Sequence, residues 1–162
     1  MTLEADRLRL VEAGAPDAPE IQSCLEAAPD YFGRTEGGPP APGAAAELLA
    51  EAAADPARRV FLLYPRAGRA AVGILDLHLD YPGPGEAHIG LLLLREAWQG
   101  MGYGREAAAA LERSLGRAGF RTLRLSVTDE NVGAKLFWER IGFAEVGRLD
   151  GGVTLFEKPL RR

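Results

Sequence analysis

The chain has 162 residues, with 19 Lys plus Arg against 23 Asp plus Glu for a formal net charge of −4, and it is 47% hydrophobic and 26% charged. These values describe one globular domain with one core, so residues 1–162 are expected to form a single domain. Net negative charge without a basic run argues against nucleic acid as a partner. The longest apolar stretch, 89–94, is interrupted by Gly90 and falls far short of the roughly 20 residues that cross a bilayer. The opening residues lack the basic and apolar pattern of a secretory leader. A cytoplasmic protein without a membrane partner is the expectation. Cys24 is the sole cysteine, which excludes an intrachain disulfide.

In chain order, Arg7-Leu8-Arg9-Leu10-Val11 alternates as a half-buried strand does, and Pro16 to Pro19 announces a helix carrying Ile21, Leu25 and Ala28. Glycines and prolines from Gly33 to Gly43 predict a loop, and the alanine-rich stretch to Ala54 a second helix. Val60–Tyr64, Ala70–Asp80 and Glu86–Leu94 read as strands. The turn-forming cluster Tyr81 to Gly85 makes the last two an antiparallel hairpin. Ala107, Ala108, Leu111 and Leu115 recur at helical spacing, and Gly116 and Gly119 are candidates to end that helix. Thr122–Val127 alternates again, and a short helix follows with Leu136, Phe137 and Ile141, implying a parallel crossover. Asp150-Gly151 marks a closing hairpin.

Between the third of those strands and the long helix lies Gln99-Gly100-Met101-Gly102-Tyr103-Gly104. A strand running through a glycine-dense turn into a helix gathers backbone N–H groups and the positive helix end around one point, which attracts phosphate. Alternatively it is only a tight connection. The spacing excludes two other phosphate loops: a dinucleotide fingerprint needs glycine where Arg105 stands, and a nucleotide-triphosphate loop needs Gly-Lys-Ser/Thr.

With Gln99, Gly102 and Gly104 the turn resembles the Gln/Arg-x-x-Gly-x-Gly/Ala loop of the GNAT superfamily of N-acetyltransferases. Downstream, Asn131, Ala134, Phe137, Gly142 and Phe143 are similar to that superfamily's Asn-x-x-Ala-x-x-Leu/Phe-Tyr-x-x-x-Gly-Phe pattern. The resemblance implies an α/β fold of α+β type, with a mixed, mostly antiparallel sheet of about seven strands flanked by about four helices. It implies acetyl-coenzyme A as co-substrate, no metal, and a primary amine as acceptor. It places the cofactor's pyrophosphate on the N–H groups of Gly100, Met101, Gly102, Tyr103, Gly104 and Arg105, and its pantetheine arm along Leu92, Leu93 and Leu94, as an added strand. The backbone N–H of Leu93 or Leu94 is the implied oxyanion donor. Asn131 is expected to bond the pantetheine, with Phe137 beside it or in the core, and Lys135 to reach a phosphate or remain solvated.

Trp138 departs from the pattern, standing where much of the superfamily has a tyrosine thought to protonate the leaving thiolate. Indole does not titrate usefully, so no dedicated tyrosine acid is expected, and Trp138 either walls the acetyl or acceptor pocket or simply packs. The departure also keeps a non-catalytic acyl-coenzyme A sensor open as the alternative. As base, the hairpin offers His88, His78, Asp76 and Glu86. A turn centred on Gly83 sets His78 opposite His88, and a histidine near pKa 6.5 can accept the ammonium proton; the competing reading is a solvated or structural face. The acceptor pocket is expected around Tyr31, Phe32 and the 33–43 loop, with Tyr81 a further contributor, and exposed sheet edges keep a homodimer among the expectations.

Overall fold

The computed structural model describes all 162 residues. In chain order they form β1 (Thr2–Glu4), β2 (Leu8–Glu12), α1 (Ala18–Glu26), α2 (Pro29–Thr35), α3 (Ala44–Ala54), β3 (Arg58–Pro65), β4 (Gly73–Leu79), β5 (Glu86–Leu94), α4 (Tyr103–Arg117), β6 (Thr122–Thr128), α5 (Val132–Arg140), β7 (Ala144–Leu149) and β8 (Val153–Pro159). The strands make one 8-stranded sheet in the order β1-β2-β3-β4-β5-β6-β8-β7. Every pairing is antiparallel except β5 with β6. The α/β class is as expected, with one strand and one helix more. The added strand is three-residue β1, too short to show a period, and the added helix is α2, which extends through Gly33 to Thr35 into the stretch expected to be loop.

Apolar side chains divide between the two sheet faces. Leu8, Leu10, Phe61, Leu75, Ile89, Leu125 and Phe156 point to one face and meet Ala107, Leu111 and Leu115 of α4 and Trp138 of α5. Val60, Leu62, Ile74 and Leu93 point to the other and meet Ile21, Cys24 and Leu25 of α1 and Leu49 of α3. Burying each large aliphatic side chain contributes about 1.5–3 kcal/mol, so this two-sided pattern fixes which residues of each strand face which helices. Gly116 does not end α4. It sits inside the helix, where an added Cβ would lie 1.9 Å from the Arg161 carbonyl oxygen, so it admits the C-terminal tail; the left-handed residue after the helix is Gly119, at φ 95°. No helix is long and apolar enough to cross a membrane.

The feature that positions the site is where β5 and β6 part. Their parallel ladder runs only from Glu86↔Thr122 to Ile89↔Leu125. Beyond it β5 remains paired to β4 through Gly73↔Leu94, and β6 to β8 through Thr128↔Val153. A bulge sits at the fork: Leu91 lies opposite Asp76 and Ile89 opposite Leu77, leaving Gly90 as the extra residue. The β4-distal edge of β5 from Gly90 onward thus has no strand partner.

Candidate active site

Two cavities meet along that unpaired edge. The larger, about 530 Å³, is a cleft lined by Leu92, Leu93 and Leu94 of β5, the turn residues Gln99, Gly100, Gly102, Tyr103, Gly104 and Arg105, and Asn131, Gly133, Ala134, Phe137, Arg140 and Ile141 around α5, with Tyr31 and Arg34 of α2 on its far wall. The smaller, about 160 Å³, continues from Leu92 to the fork at Gly90 and Ile89, between β5 and Leu125, Ser126, Val127 and Thr128 of β6.

The turn is built by backbone geometry only glycine adopts readily. Gly100 and Gly102 sit at φ 75° and 85°, in the left-handed region, immediately before the first residue of α4. Gly104 has a different function: a Cβ there would stand 3.3 Å from the Phe137 ring, so its bare backbone lets α5 close on the turn. The turn is anchored from outside. Arg7 packs its guanidinium 4.1 Å over the Tyr103 ring, donates to the Met101 carbonyl at 3.1 Å and pairs with Glu106 at 2.8 Å. Gln99 donates through Nε2 to the Leu94 carbonyl at 3.0 Å, fastening the turn to the end of β5. No carboxylate lines the cleft, while Arg34, Arg105 and Arg140 do. A positive cleft, with N–H groups at a helix start and an unpaired strand edge, fits an elongated ligand that carries phosphates at one end and amide groups along its length.

Backbone direction decides between the two implied oxyanion donors. Consecutive N–H groups of a strand point to opposite edges. The Arg95 N–H bonds the Val72 carbonyl across the β4 side, so the Leu93 N–H also points toward β4 and those of Leu92 and Leu94 toward the cleft. Leu93 is therefore set aside as the donor.

Other expectations are corrected in the same region. Met101 turns its side chain to solvent, 50% exposed, so its backbone N–H is all it can present to a ligand. Lys135 reaches no phosphate position, because its ammonium is held by Asp129 at 2.6 Å, in a cluster where Asp129 also pairs with Arg148 and accepts from Thr154. Trp138 is outside the cleft. It is 7% exposed, packed against Phe137 and Phe143 at ring-centroid distances of 4.8 and 5.1 Å, and contributes one wall of the smaller cavity. Asn131 caps α5, its Oδ1 accepting from the Ala134 N–H at 3.3 Å, which leaves its amide N–H groups to face a ligand.

The base candidates separate by their partners. Asp76, 5% exposed, receives two hydrogen bonds from the Arg58 guanidinium, at 2.9 and 2.8 Å. Glu86 is paired with Arg124 at 2.9 Å. Both carboxylates are held in ion pairs. His78 and His88 are opposite each other as the Gly83-centred turn requires, and Tyr81 completes a group of three rings. Burial, then the positive charge of His78 and Arg124, holds His88 below its ordinary value of 6.5, with Asp76 opposing. Its imidazole is therefore neutral at pH 7.

Arg34, Gly133, Arg140 and Ile141 are cleft residues that the motifs do not mark. On α5 a signal existed: Gly133, Ala134, Phe137, Arg140 and Ile141 recur at spacings of three and four, one face of a helix. For Arg34 there was none, since α2 lies within a glycine-rich string.

Among known proteins, the chain matches the model of the acetyltransferase (GNAT) family over residues 21–143. Among curated proteins none matches it. In three dimensions it is similar to an acetyltransferase from Thermus thermophilus, with 34% identity and a TM-score of 0.85 over 99% of this chain and 100% of that one. Two more distant structures share the fold. One is RimL, a ribosomal L7/L12 α-N-protein acetyltransferase in complex with coenzyme A (15% identity, TM-score 0.80, 99% of this chain and 98% of that one). The other is spermidine N-acetyltransferase from Vibrio cholerae with coenzyme A and spermine (19% identity, TM-score 0.76, 95% and 96%).

Proposed function

This chain belongs to the GNAT acetyltransferase family, and from that premise we propose that it moves the acetyl group of acetyl-coenzyme A to a primary amine of modest basicity by direct attack in a ternary complex. It is an acetyl-coenzyme A-dependent acyltransferase. The observation that carries the finer reading is the fork: a free β5 edge that enters the glycine turn at one end and begins at Gly90, two residues after His88, at the other.

Gly100, Gly102, Tyr103, Gly104 and Arg105 would hold the pyrophosphate, with Arg34 and Arg140 as further cations. Leu94 would bond a pantetheine amide, and Asn131 would donate to the arm. The co-substrate supplies the activated acyl group. The chain's own residues keep the carbonyl beside the fork, offer the Leu92 N–H, the cleft-facing N–H that lines both cavities, to the developing oxyanion and accept the proton that the attacking nitrogen sheds.

His88 can accept that proton readily from some amines only. A neutral imidazole with a lowered pKa is a weak base. Taking a proton from an α-ammonium of pKa about 8 is a modest uphill step, while a lysine ammonium at about 10.4 adds over two further units, or roughly 3 kcal/mol. The acceptor is accordingly assigned as an α-amine or a similarly weak small amine. The two coenzyme A-bound relatives act on an α-amine and on spermidine by their names, which makes both classes worth presenting. The test is thiol release from acetyl-coenzyme A with a panel spanning α-amino peptides, polyamines and lysine side chains. Turnover with α-amines above lysine side chains is expected. Lysine as the best acceptor, or equal rates for His88→Gln and the parent at every pH, would overturn the assignment.

A further inference from the structure

His88 and the Leu92 N–H serve the nitrogen and the oxygen of the reacting centre and leave its sulfur unattended. A pantetheine arm lying along β5 from the turn toward the fork brings its thioester to the place where the large cleft passes into the small cavity. The residues that line both are Tyr31, Leu92, Asn131 and Ala134. Leu92 and Ala134 have no polar side-chain atom, and Asn131 spends its oxygen on capping α5. Tyr31 alone brings a hydroxyl to this junction. It belongs to α2, the helix that meets β5 only across these two cavities' lining.

We propose that the Tyr31 hydroxyl donates a hydrogen bond to the sulfur of the departing thiolate. The inference rests on the acetyl-transfer reading and adds a catalytic residue to it. Tyr31 is held in place on two sides. The Thr35 hydroxyl donates to the Tyr31 carbonyl at 2.8 Å, and the ring packs edge-on against Phe32 with centroids 5.2 Å apart. Burial, reinforced by nearby Glu36, raises the phenol above its ordinary value of 10, so it keeps its proton at neutral pH. Full transfer to a thiolate of conjugate-acid pKa about 8.5 would then run uphill. The phenol therefore acts by hydrogen bonding rather than by losing its proton. In the balanced step the amine nitrogen bonds the acyl carbon, the carbon–sulfur pair leaves on sulfur, the nitrogen's proton goes to His88, and the thiolate stays bonded to the Tyr31 O–H until solvent protonates it on release.

The experiment compares the parent with Tyr31→Phe in two ways. The first is turnover with acetyl-coenzyme A against its selenoester analogue, whose leaving group is less basic and needs less stabilisation. A fall in kcat of at least about tenfold with the thioester, and a clearly smaller fall with the selenoester, is expected. The second needs no turnover and reads the thiolate absorbance of bound coenzyme A, titrated against pH. The bound thiol should ionise at lower pH in the parent than in Tyr31→Phe, while overall coenzyme A affinity at pH 7 changes less than about threefold. Equal losses with both esters, a loss in acceptor KM alone, or identical thiol titrations would overturn the assignment while leaving acetyl transfer standing. A parent that releases no thiol with any amine would overturn both.

Discussion

His78 and His88 are direct partners across the β4–β5 ladder, both half-buried, their rings edge to face with centroids 6.4 Å apart. Charging either makes charging the other harder. Because His88 sits below its ordinary value of 6.5, its active neutral form persists into mildly acidic solution. With an α-amine acceptor, kcat/KM should fall on the acid side through an apparent pKa below 6.5, and His88→Gln should remove that limb and lower kcat by about 10²-fold or more. Stability carries the same sign. A folded-state pKa below the unfolded one means that the unfolded chain binds more protons, so the His88 contribution is complete above pH 6.5 and is lost as pH falls through the folded value. Denaturant unfolding of the parent and His88→Gln from pH 7.5 to 5 measures it: the parent should lose more stability over that range.

Asp76 should prove to be structural. Removing its carboxylate in Asp76→Ala leaves Arg58, 13% exposed, with Glu51 as its remaining partner at 2.9 Å. A destabilisation of about 2–3 kcal/mol is expected, below the roughly 3–5 of a fully buried pair because Glu51 and solvent remain. Chemical denaturation measures it, and loss of activity without loss of stability would instead put Asp76 in the chemistry.

Much of this was legible before any coordinates. Alternation located β2 and β6 and short strand-like runs located β3 to β5, the Tyr81–Gly85 turn set the His78–His88 register, and Gln99 to Gly104 with Asn131 to Phe143 located both sides of the cleft, because each rests on local geometry that a few residues fix. What resisted were the partners of charged groups. Arg58 is eighteen positions from Asp76, Asp129 is six from Lys135 and nineteen from Arg148, and no spacing rule pairs residues across a sheet or between a turn and a hairpin. Two carboxylates that looked like bases and a lysine that looked like a phosphate ligand were already engaged. The bulge at Gly90 was hidden in the same way, since it shows only as a mismatch between two strands.

The glycine turn should not tolerate a side chain. Gly102→Ala forces a left-handed φ on alanine at a cost of about 1–2 kcal/mol, and its Cβ would lie 3.2 Å from the Arg7 guanidinium that anchors the turn. Coenzyme A affinity should fall at least about tenfold, by calorimetry. Gly104→Ala should weaken the cofactor by a different route, displacing the Phe137 ring, with φ unstrained. Undiminished affinity in both variants would place the pyrophosphate elsewhere.

Trp138 offers the sharpest contrast between packing and chemistry. The indole fills the space between Phe137, Phe143 and the sheet, so Trp138→Ala should cost about 3–5 kcal/mol through the cavity it leaves. Trp138→Phe keeps an aromatic ring and most of that volume while removing the N–H. If the indole is packing, this variant should bind coenzyme A as the parent does, turn over within about threefold of it, and lose no more than about 1.5 kcal/mol, the range of near-isosteric core changes. Binding calorimetry, denaturant melts and thiol release measure the three quantities on one preparation. A kcat lowered tenfold or more with affinity and stability intact would give the N–H a part in the reaction, and Trp138 would then join Tyr31 at the junction of the two cavities.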